Sequence, residues 1–209
     1  MKKLAFFAAF AAAVMMTLSS CSGSGSDECL LFGSFPSEYA GFKAQRDKLD
    51  EQAKNIKTEE DKAELIKKGK KLEEKWSPKL EKAAKELDGK EINITDSIFK
   101  VTTPLSLTFE KLNSSSLAPI FKINGSAETA ETITIDNTFN PSRNVYIAGY
   151  DAAGNEVYKI QVGRITGEVK LNMLEIPAGT PIVFSTLTFN SSFLDKYPEA
   201  KTLKLVYLQ

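Results

Sequence analysis

The chain has no histidine, and that absence excludes more chemistry than any residue present specifies. Without an imidazole there is no Ser-His-Asp or Cys-His catalysis and no histidine-ligated zinc or iron. Nor is there a side chain that titrates unperturbed near neutrality. Cysteine is scarce, with only Cys21 and Cys29, so a disulfide-stapled scaffold is excluded. An excess of one charge is also missing: Lys plus Arg and Asp plus Glu stand at 27 each. Polyanions are held by neutralised phosphates, so this balance gives no basis for a nucleic-acid partner. A calcium loop of the EF-hand kind is absent as well. The run Asp151-Ala152-Ala153-Gly154-Asn155 is too poor in ligands and reads as a hairpin turn. Neither a cofactor nor a metal site is expected.

Long apolar runs are confined to the start. Lys2 and Lys3 precede an apolar stretch, Leu4 to Met16, which Leu18-Ser19-Ser20-Cys21 closes with small residues before a cysteine. Positive end, short apolar run and small-residue boundary are the parts of a cleavable signal peptide, and the run is short for a membrane span. No later apolar run is long enough to span a bilayer. Leu18-Ser19-Ser20-Cys21 resembles the lipobox of bacterial lipoproteins. That resemblance implies that residues 1–20 are removed and that Cys21 carries diacylglyceryl and acyl chains. At ~0.8 kcal/mol per buried methylene, two or three such chains make a stable anchor. Ser22 stands where an aspartate would resemble an inner-membrane retention signal, which implies the outer membrane, on either its periplasmic or its surface face. Surface lipoproteins of Bacteroidetes carry acidic residues directly after the cysteine, whereas Asp27 and Glu28 come later here. Without Lys2 and Lys3 the remainder carries 25 basic against 27 acidic residues. With Cys21 acylated, Cys29 lacks an intramolecular partner. In Cys29-Leu30-Leu31-Phe32 it reads as a small apolar residue tucked against the fold, the rival being an intermolecular disulfide or an oxidant sensor.

Residues 21–35 are assigned to a lipidated tether, flexible by composition from Ser22 to Ser26. Residues 36–89 are rich in Lys, Glu, Ala and Leu. Apolar positions at Phe42, Leu49, Ala53, Ile56, Ala63, Leu65, Ile66, Leu72, Trp76, Leu80 and Leu87 recur at helical steps. Thr58-x-x-Asp61 predicts an N-cap, Ser77-Pro78 a new start or a kink, and Asp88-Gly89 a stop. The expectation is an amphipathic helical hairpin of two or three helices; the rival is one rod of ~75 Å. Its thin apolar stripe needs a partner surface, in this chain's second half or in another chain.

From residue 90 to 209 the period becomes two: Ile92/Ile94, Leu105/Leu107/Phe109, Ile133/Ile135, Val145/Ile147, Ile160/Val162, Val169/Leu171/Met173, Ile182/Phe184 and Leu203/Leu205/Tyr207. Breaks fall at Asn113 to Ser116, Asn124-Gly125-Ser126, Asn140-Pro141-Ser142, Gly154-Asn155 and Pro177-Ala178-Gly179. Seven to nine short strands with one buried face each predict an antiparallel β-sandwich. The Asp151 to Asn155 turn in the hairpin Asn144 to Gly163 resembles that of bacterial immunoglobulin-like domains. The expected fold class is therefore α+β, a helical hairpin followed by an Ig-like sandwich.

Site signals are few. Asp96-Ser97-Ile98 resembles the O-glycosylation acceptor of Bacteroidetes, which implies a glycan on Ser97. Trp76 on a helical apolar stripe reads as core, and Tyr146, Tyr150 and Tyr158 as cross-strand packing. Glu110, Glu128, Glu131, Glu156, Glu168 and Glu175 show no pairing from spacing. The expected function is a non-enzymatic, lipid-anchored envelope protein that binds or assembles an envelope protein or glycan. The alternatives are a carbohydrate- or peptidoglycan-handling protein and a periplasmic inhibitor or immunity-type lipoprotein.

Overall fold

The computed structural model describes residues 29–95, 97–191, 194 and 197–208. The signal segment, Cys21 and the Ser/Gly stretch lie outside the described residues. The fold is α+β, with two helices followed by antiparallel sheets in a sandwich-like arrangement.

The tether ends earlier than its composition suggests. Cys29, Leu31, Phe32 and Phe35 are all buried, and Cys29 closes a tight turn onto Gly33 through two backbone hydrogen bonds. Cys29, Leu31, Phe32 and Phe35 therefore belong to the core, and residues 29–35 are anchored to the fold rather than free linker. Four apolar side chains in seven residues gain more by leaving water than flexible linkage would gain in chain entropy.

Helix α1 spans Phe35–Ala53, with Pro36 in its first turn, where the missing N–H has no intrahelical partner anyway. Helix α2 spans Glu59–Lys85 and begins as its sequence predicts, Thr58 Oγ1 accepting from Asp61 N at 3.1 Å. Pro78 lies inside α2, so Ser77-Pro78 does not start a new helix. The neighbouring Trp76, Leu80, Ala83 and Ala84 are buried, and their packing carries the helix past the lost backbone bond. Gly89, at φ 74°, turns the chain after α2, and its N–H donates to Leu107 O.

Eleven strands follow among the described residues. One sheet has the order β1 (Glu91–Ile92), β2 (Phe99–Leu112), β3 (Pro119–Thr129), β10 (Leu187–Thr188). The second runs β11 (Thr202–Tyr207), β5 (Ser142–Tyr150), β6 (Glu156–Thr166), β9 (Val183–Phe184). A small third sheet has the order β4 (Ile133–Ile135), β8 (Met173–Ile176), β7 (Glu168–Lys170). The two larger sheets are joined on both flanks. On one flank the chain passes from β9 to β10 and so changes sheet; on the other, Ile94 bridges Leu203 of β11 just after β1. Leu105, Leu107 and Phe121 of the first sheet and Val145, Ile147 and Val162 of the second fill one core, which also takes in the residue 29–35 segment and the base of both helices.

Two turns differ from the sequence reading. Asn124-Gly125-Ser126 lies within β3, so that strand is one element across the expected break. Conversely, Val169 to Met173 is not one strand. Leu171 (φ 49°) and Asn172 (φ 64°) make a two-residue turn between β7 and β8. Leu171 is also fully exposed. Leucine in left-handed backbone is strained, whereas asparagine visits that region readily. Leu171→Asn is expected to raise stability by about 0.5–1 kcal/mol, read as a higher urea midpoint at constant slope.

The Asp151 turn between β5 and β6 forms as predicted. Asp151 Oδ1 accepts from the backbone of Ala153 and Asn155, and Oδ2 from the Asn155 amide. Bonds to Asn155, side chain first, hold its carboxyl below the usual carboxylate range.

Candidate interaction surface

The residues singled out by sequence do not converge on a catalytic cleft. Ser97 is half-buried, donating its hydroxyl to Leu205 O at 2.7 Å and accepting from Phe99 N. Cys29 and Tyr158 meet in the core; burial pushes both the thiol and the phenol up. Both groups therefore stay protonated at neutral pH, and a buried thiol is a poor nucleophile. Of the carboxylates, Glu168 and Glu175 are cross-strand partners in the β7–β8 hairpin. Both are exposed, and Lys170 sits 2.7 Å from Glu168, so the pair is a solvated charge cluster rather than an acid and base in a cleft. Among the described residues no three His, Cys, Asp or Glu side chains group to hold a metal.

Trp76 is 8% exposed and forms part of the helix junction. Its ring leaves no room for a side chain at residue 41: a Cβ on Gly41 would lie 2.9 Å from Trp76 Cη2. The ammonium groups of Lys75 and Lys79 lie 5.7 and 5.3 Å from its ring centroid, an arrangement that favours cation–π attraction. From Trp76 a run of ring contacts passes through Phe42, Tyr39 and Phe189 to Phe32 and Phe121. This aromatic row binds the helices to the sheets. Tyr39 adds a hydrogen bond to Ser116 O, and Arg46 one to Ser115 O, fastening α1 to the loop after β2.

Beyond that junction the helices change character. From residue 43 to residue 75 not one residue is buried. Seventeen residues of α2, about 25 Å of helix, lie within that stretch. Here the two helices have chiefly each other to pack on. Between them lies an apolar groove of about 200 Å³ with Phe42, Leu49, Leu65 and Leu72 among its walls. Arg46, Asp50 and Glu73 supply charge around it, and Ile66, 54% exposed, lies on the α2 side. Sequence periodicity marks the stripe; that its outer half goes uncovered by the other described residues is visible only in the fold.

Gly69 lines the same groove, in the interior of α2, where a Cβ would meet nothing within 4 Å. Glycine there costs backbone entropy that alanine would not. Gly69→Ala is expected to stabilise the chain by about 1 kcal/mol, seen as a higher thermal midpoint with unchanged far-UV circular dichroism. Comparison with protein-family models, curated proteins and solved structures finds no match for this chain.

Proposed function

We propose that this chain is a non-enzymatic, lipid-anchored envelope protein, held at the outer membrane through Cys21, that binds or assembles another envelope component through its helix pair. The observation that carries the reading is the uncovered stretch from residue 43 to residue 75 with its apolar groove. Exposed apolar surface on a secondary-structure element costs stability in a monomer and is retained where a partner covers it. An amphipathic segment laid into a groove between two helices is a common recognition mode, with affinity from buried apolar anchors and specificity from rim charges. In this reading the helices form a helical hairpin, and the sheets form an Ig-like frame that holds it off the tether.

Crosslinking with mass spectrometry on intact cells tests the binding role, since lysines are dense on α2. A recurrent partner linked to residues 43–75, and lost when Ile66 is replaced by glutamate, is the expected result. Crosslinks confined to the chain itself and to neighbours insensitive to Ile66→Glu would sink it. The anchor has its own test: Cys21→Ser should release the protein from the membrane fraction. A glycan on Ser97 belongs to the same proposal. Attachment would take the hydroxyl proton now given to Leu205 O, and an unmodified wild-type peptide ends the idea.

A further inference from the structure

Lys62, Ile66, Gly69 and Glu73 succeed one another on α2 at steps of four, three and four, so they share one face of the helix. Lys62, Ile66 and Glu73 are exposed, and Gly69 leaves open space where its side chain would be. Among the described residues nothing requires glycine at that position. A missing Cβ in a helix interior suits the close approach of another backbone. Run antiparallel to itself, this stripe is its own complement. Ile66 falls opposite Gly69, and Lys62 falls opposite Glu73, in both directions.

We propose that a second copy of this chain docks here, α2 against α2 and antiparallel, about a two-fold axis between Ile66 and Gly69. This deepens the reading of the helix pair as a docking element and rests on it. A two-fold interface uses the same patch on both subunits, so knob and hole must lie on one surface, as they do here. Each Ile66 seats over the partner copy's glycine at the groove wall, and two Lys–Glu pairs close the ends. Charge selects the orientation: parallel pairing sets lysine against lysine and glutamate against glutamate, which repels. The contact covers about three helical turns, less than the ~800 Å² per partner of a standard stable interface. It is therefore weak in dilute solution and favoured where copies share a membrane.

Zero-length carbodiimide crosslinking of the full chain, in membranes and in detergent, tests this. Within one α2 helix Lys62 and Glu73 are separated by about 16 Å of rise, too far for a direct amide, so any Lys62–Glu73 linkage joins two copies. The expected result is that linkage in a dimer of twice the mature chain's mass, each copy falling below the 23.0 kDa of the full 209 residues once residues 1–20 are removed. Neither Lys62→Glu nor Glu73→Lys alone can form the linkage, since each removes the amine or the carboxylate the amide needs. It should return between the exchanged positions when the two variants are mixed, and fall at least tenfold in Ile66→Glu, which keeps both reacting groups. Circular dichroism of each variant confirms that α2 is intact. Absence of the linkage from the wild-type chain, or its survival in Ile66→Glu, overturns self-docking. If residues 43–75 instead link to a different protein, self-docking fails while the binding reading stands; if they link to no partner at all, both fail.

Discussion

Truncating Phe32 to alanine is expected to destabilise the protein by about 3–5 kcal/mol, the range for a large side chain removed from a tightly packed core. Phe32 has no exposed surface. Its ring lies 5.8 Å from that of Phe121 on the first sheet and 5.2 Å, edge-on, from that of Phe189. Phe189 in turn contacts Phe35 and Tyr39 of α1. A cavity at Phe32 thus opens where the N-terminal segment, the helices and the sheets meet, and no single neighbour can collapse into it without leaving another contact. Small domains are stable by about 5–15 kcal/mol in all, so a large part of that margin is lost. Urea denaturation should show a lowered midpoint at nearly constant slope. Leu30→Ala is the control: the residue is 39% exposed and two positions away, and its loss should be several-fold smaller. A Phe32→Ala loss as small as that of Leu30→Ala would show that Phe32 does not hold the core together.

The helical segment was largely legible, because capping is local chemistry. Thr58 Oγ1 accepts from Asp61 N as the Thr58-x-x-Asp61 spacing predicts, and the Asp151 turn closes on Asn155. Elements decided by distant neighbours were not legible. Pro78 reads as a break in isolation, yet buried residues on either side hold it within α2. Leu171 reads as strand because its apolar neighbours alternate, but the pairing of Lys170 with Met173 forces a two-residue turn at Leu171-Asn172. The candidate surface was half legible. The stripe through Leu65, Leu72 and Trp76 appears in the spacing, whereas the point at which the β-sheets stop covering it depends on packing between segments far apart in sequence.

Gly125 shows the same limit, and its substitution should have the second large effect. Asn124-Gly125-Ser126 has the composition of a turn, but Gly125 lies within β3 at φ 100°, opposite an irregular stretch of β2 where the register shifts between Val101, Thr103 and Ser106. Pro104 in that stretch has no N–H to donate to the ladder, and the chain bends around it. A Cβ on Gly125 would stand 2.3 Å from Pro104 O and 2.9 Å from Thr103 O, both backbone atoms that cannot swing aside. Gly125→Ala therefore combines a left-handed backbone penalty of about 1–2 kcal/mol with about 1–3 kcal/mol of overpacking. A total loss of about 2–5 kcal/mol is expected. Gly154→Ala separates the two contributions, because Gly154 also has positive φ, at 84°, while a Cβ there meets nothing within 4 Å. It should lose only the backbone share. If the two variants unfold at the same urea concentration, close approach to Pro104 is not what requires glycine at residue 125. If Gly125→Ala alone unfolds markedly earlier, the bulge opposite β3 is a packed element of the fold, hidden in a sequence that reads as a loop.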